Sequence, residues 1–174
     1  MLKKLQKHIK DICFSGRSVG GTFDGIHYVA TDHIVIYFDE DVPDIPKMGA
    51  MSESMKKTVI DKIMDTREVE WIRHELPPMK EIKGQITELV GKKRVPKVNW
   101  SDDGTWAINA RYLVPAMEAL NAKGCYIPKG SQSLYYPVKL FQNDDVTSPV
   151  CEGIMQIRND DGRKGVWLDS NDEC

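Results

Sequence analysis

An α+β domain is what the pattern of this 174-residue chain specifies. Apolar residues near the N-terminus recur at helical spacing, and runs of β-branched and aromatic residues follow, separated by Asp, Gly and Ser. The same order, a helix of about a dozen residues and then strands, returns in the last third of the chain.

Leu2, Leu5, Ile9 and Ile12 make residues 2–13 an amphipathic helix, with Lys3, Lys4, Lys7 and Lys10 on its other side and Ser15 and Gly16 at its end. Residues 22–30 and 34–38 read as two strands of a hairpin joined through Thr31, Asp32 and His33. The acidic run Asp39, Glu40 and Asp41, then Pro43 and Pro46, closes this unit as a loop. A second helix is expected over 51–66, with Met55, Val59 and Ile63 on one face and Ser52 as N-cap. Around Trp71, Ile72 and Leu76 the chain runs into Pro77 and Pro78, and residues 80–91 fit either a helix or a strand. Lys92, Lys93, Arg94 and Lys97 around Pro96 read as an exposed basic connector.

Two short β-like runs, 98–100 and 105–108, flank Ser101, Asp102, Asp103 and Gly104, a hairpin signal. Asn109 caps a helix running to about Asn121, with Gly124 as its stop. Pro115 conflicts with that helix, which must kink or begin there. Strands follow at 125–127, 134–141 and 150–158, then a turn at 159–162 and a last run at 165–168. Two similar half-units, about 1–46 and 98–158, with a helical and basic insertion over 47–97, make one domain over 1–174.

Composition places the chain among globular proteins: 41% hydrophobic, 29% charged, net charge −2. No stretch approaches the about 18 to 20 apolar residues of a membrane span, and the opening lacks a secretory apolar core, so a cytoplasmic location without membrane contact is expected. Cys13, Cys125, Cys151 and Cys174 are scattered and read as inert thiols. Neither they nor His8, His27, His33 and His74 have zinc-ligand spacing. Charge comes in blocks: residues 1–17 hold five basic and one acidic residue, 18–46 no basic and six acidic, 47–97 twelve and eight, 98–174 seven and eleven. Such blocks can build a basic face on a nearly neutral protein.

No phosphate loop, dinucleotide fingerprint, nucleophile elbow or zinc-protease helix occurs, so the chain reads as a binding or scaffolding protein with no enzymatic activity, catalytic residues, cofactor or metal. The carboxylate pairs Asp102 and Asp103, Asp144 and Asp145, and Asp160 and Asp161 sit in turn-forming sequence. An unfamiliar enzyme site around Asp39 to Asp44 and His33 is the outlying alternative. The sharper signal is the cationic series Lys3, Lys4, Lys7, Lys10 and Arg17, suited to phosphates of duplex DNA without base readout.

The opening MLKKLQKHIKDICFSGR, and more closely AINARYLVPAMEALNAKGCYIP, LYYPVKLFQND and EGIMQIR, resemble the bacterial DNA sliding clamp family, the beta subunit of DNA polymerase III. The resemblance implies a DNA-clamp-like domain of two half-units, each a helix packed on antiparallel strands, and a role as a replication processivity or accessory factor. Carried over by position, Lys3, Lys4, Lys7, Lys10 and Arg17 would face DNA. Met155, Ile157 and Arg158 would match the segment that receives partner peptides, with replication proteins as partners. Ring closure would need a homo-oligomer. The alternative is a protein-interaction module, from a mobile element, that uses such a fold to bind replication or regulatory proteins without DNA.

Overall fold

The computed structural model describes residues 2–15, 18–23, 25–39, 41–46, 48–54, 70–88, 95–99, 106–129, 137–158 and 167–170. The helix expected over 51–66 lies outside them beyond residue 54, as do Arg17, residues 92–94 and the turns at 101–104 and 159–162.

The first helix, α1 (Leu2–Cys13), buries Leu5, His8, Ile9, Ile12 and Cys13 along one stripe. Leu2, expected on that stripe, is exposed instead. Serine hydroxyls take up carbonyls that the helix end leaves open. Ser15 Oγ donates to the Ile12 carbonyl and Ser18 Oγ to that of Cys13, both at 2.7 Å.

Three strands follow: β1 (Val19–Phe23), β2 (Ile26–Ala30) and β3 (Ile34–Phe38). The single strand expected over 22–30 is therefore two, because Gly25 adopts φ 81° and lets the chain reverse there. The second turn matches expectation: the Thr31 amide donates to the Ile34 carbonyl at 2.8 Å, and Thr31 Oγ1 accepts from the His33 and Ile34 amides. All of β3 is buried, which an apolar run of β-branched and aromatic residues favours in the middle of a sheet.

Residues 71–75 form a strand, β4 (Trp71–Glu75), and the undecided stretch after it is a helix, α2 (Met79–Glu88), which runs through Gly84. The basic connector is only partly a connector: β5 (Val95–Asn99) incorporates Lys97, which is buried. Its partner β6 (Trp106–Asn109) leads into α3 (Ala110–Leu120). Asn109 caps α3 by accepting from the Arg111 amide at 2.9 Å. Asn121, in the left-handed region at φ 53°, ends it in place of Gly124, which already belongs to the next strand. Pro115 sits inside the helix on its exposed side, where its ring meets solvent rather than core.

The chain continues with β7 (Gly124–Pro128), β8 (Val138–Phe141) and β9 (Cys151–Ile154). The strand expected over 150–158 divides at Met155 and Gln156, after which β10 (Ile157–Arg158) joins a different sheet and β11 (Trp167–Ser170) follows. The large sheet has seven strands in the order β1-β2-β3-β9-β8-β7-β4, and the small one four in the order β10-β6-β5-β11, every pair antiparallel. Helix α3 packs on β8 and β9 of one sheet and on β5 and β6 of the other, while α1 and α2 pack against α3. The main core lies between the large sheet and the helices, around Ile9, Ile36, Ile82, Leu113, Leu120 and Leu140. A second cluster, with Tyr28, Tyr37, Met51, Tyr126 and Phe141, covers the opposite sheet face. No described helix is long and apolar enough to cross a membrane.

Candidate functional site

Amphipathic spacing turns one side of α1 to solvent, and Lys3, Lys4 and Lys7 stand there, all exposed. Lys10 departs from that group: it is half-buried, and its Nζ lies 3.5 Å from the Asp44 carboxylate, so part of its charge is already matched. Met155 is exposed between β9 and β10, its amide donating to the His33 carbonyl at 2.8 Å. Ile157 and Arg158 form β10 and pair with Ala107 and Trp106 of β6, so their backbone serves the small sheet.

The remaining carboxylate pair among the described residues behaves as turn chemistry, as expected. Asp144 accepts from the amides of Lys123 and Gly124 at 3.1 Å and from Arg73 at 3.3 Å, which ties the Gln142–Asp144 turn to β4 and the start of β7. Asp145 accepts from the Thr147 amide and hydroxyl, and those bonds hold its carboxyl below the usual range. Asp39 and His33 flank β3 at opposite ends, about 17 Å of extended chain apart, and Glu40 lies outside the described residues. Cys13, Cys125 and Cys151 are buried free thiols; burial raises all three pKa values, to about 12 for Cys125 and about 11 for Cys151. The described residues hold no group of three His, Cys, Asp or Glu able to take a metal ion.

Sequence reasoning passed over a buried ion pair. His8 Nε2 lies 2.6 Å from Glu152 Oε2, with His8 8% exposed and Glu152 fully buried. The pair joins α1 to β9 across the main core, where Glu152 stands between Ile36 and Leu140 on the neighbouring strands. Burial pulls the His8 pKa down, but the charge and hydrogen bond of Glu152, with a smaller push from Asp11, outweigh it and the net shift is upward. The signal was present: His8 falls on the 5, 9, 12 stripe, and Glu152 interrupts an apolar strand.

His8 also lies at a cleft of about 600 Å³ enclosed by the C-terminal half of α1, the β2–β3 turn and the first turns of α3. Asp11, Asp32, His33, Arg111 and Tyr112 share its walls with the apolar Ile12, Ile34 and Pro115. The rings of His33 and Tyr112 stack with centroids 5.4 Å apart and an angle of 29° between planes. Thus two surfaces stand out: a lysine-bearing helix face and, around its C-terminal end, a mixed cleft with a buried histidine. No family model, curated protein or solved structure matches the chain.

Proposed function

We propose that the protein is a non-enzymatic, DNA-clamp-like binding protein that touches the phosphate backbone of duplex DNA through the outer face of α1. The observation that carries this reading is the placement of Lys3, Lys4 and Lys7 on the exposed side of a helix whose other side is anchored by Leu5, Ile9 and Ile12. Cations fixed on a rigid helix neutralise phosphates without reading bases. Chain order gives further support. A helix followed by three antiparallel strands occurs as α1-β1-β2-β3 and again as α3-β7-β8-β9, and the two sets meet at the β3–β9 pair. That is the order two clamp-like half-units would have. A ring around DNA would require several copies, so a multimeric mass in solution belongs to this reading.

Titration of a labelled duplex at two salt concentrations tests it. Each phosphate contact contributes about 0.9 to the slope of log affinity against log salt, so K3Q/K7Q should flatten the slope by up to about 2. Absence of binding at about 50 mM salt would end the proposal for this chain.

A second reading, a module for replication or regulatory protein partners, draws on the exposed Met155 beside the crossover between sheets. It expects M155D to abolish partner capture while duplex titrations stay flat.

A further inference from the structure

Two side chains able to carry positive charge, His8 and Arg111, line the cleft beside α1. His8 meets Glu152 through Nε2, its Nδ1 makes no hydrogen bond among the described residues, and the residue lines the cleft. With Glu152 holding His8 as imidazolium, Nε2–H is spent on the carboxylate and Nδ1–H is left to donate into the cleft. Arg111 lies in the same wall, and its guanidinium has no ion-pair partner among the described residues. Two charged donors converging on one space call for an acceptor carrying negative charge.

The other walls narrow the class. Asp11 and Asp32 are exposed and repel a multiply charged anion, which leaves a monoanion. The stacked rings of His33 and Tyr112, with Ile34 and Pro115, offer a flat, largely apolar surface to a planar body. The volume of about 600 Å³ falls in the range of small-molecule sites, about 300 to 1,000 Å³. We infer that this cleft is a binding site for a small planar carboxylate, whose carboxylate accepts from His8 Nδ1 and Arg111 while its ring lies against the His33–Tyr112 pair. The inference is independent of DNA binding by α1.

Calorimetric titration of the full chain with benzoate, its neutral isostere benzamide, and inorganic phosphate tests it. Benzoate should bind at least about tenfold more tightly than benzamide and more tightly than phosphate. R111Q, an exposed substitution that leaves the core intact, should weaken benzoate about tenfold and leave benzamide unchanged. Benzoate affinity should fall as pH rises from about 6 to about 9 as His8 loses its proton, and H8Q should flatten that dependence. Asp11, Asp32, His33 and Arg111 line the same space and Glu152 bonds His8 from the core, so the H8Q comparison assigns the dependence to His8. Equal binding of benzoate and benzamide, tighter binding of phosphate, an unchanged benzoate affinity in R111Q, or no benzoate heat up to about 20 mM would each overturn the assignment.

Discussion

A single proton links the helix bearing the lysines to the middle of the large sheet. His8 and Glu152 come from residues 144 apart in sequence and form the buried polar contact between α1 and β9. The folded pKa of His8 lies above its ordinary value of 6.5, so the pair contributes fully below about pH 6.5 and its contribution is lost as pH rises through the raised value. Denaturant midpoints measured between about pH 6 and about pH 9 should therefore fall more steeply for the wild type than for H8Q. E152A should cost about 3 to 5 kcal/mol at low pH, because it strands an imidazolium in the core. Neither residue announces such a contact by spacing alone. A histidine on an apolar stripe and a glutamate in an apolar strand are each explicable singly, and only the fold brings them within hydrogen-bonding distance.

Helices α1 and α3 were legible, because a buried stripe and a cap write themselves into sequence, whereas α2, interrupted by Gly84, was not. The Asn109 cap and the stop just after Leu120 placed α3, on which Leu113 and Leu120 are fully buried. L113A and L120A should each cost about 2 to 5 kcal/mol in denaturant unfolding. A loss below about 1 kcal/mol would contradict their place in the core. Strand boundaries were less legible, for local physical reasons. Gly25 at positive φ turned one expected strand into a hairpin, whereas β3 has the bounds its apolar run implies. The division between β9 and β10 depends on a change of sheet, which no residue between 150 and 158 encodes by itself. Lys97 misled in the opposite direction, since a lysine beside a proline reads as surface while its strand lies under α3. The cleft was invisible for a related reason: its walls come from α1, the β2–β3 turn and α3, so its residues share no sequence neighbourhood.

Across the whole molecule, the large sheet contains two runs of neighbouring strands, β1-β2-β3 and β9-β8-β7, that meet at one seam, with β4 at the edge beside β7. Each run forms from hairpins or short connections, but the seam pairs Ile34 with Ile154, 120 residues later. Closing it carries the chain entropy of a long loop, which favours slow folding over the rapid folding of local topologies. A chain ending at residue 150 would keep β1, β2 and β3 but leave the fully buried strand Ile34–Phe38 without β9. That fragment should aggregate, as light scattering during refolding can establish, because an apolar open strand edge recruits other chains. The same seam sets a timetable during synthesis. At about 5 to 20 residues per second, the ribosome delivers Ile154 about 6 to 24 s after Ile34. For that interval the most apolar strand of the molecule has only one neighbour, and a nascent chain of this protein has reason to depend on a chaperone before it depends on any ligand.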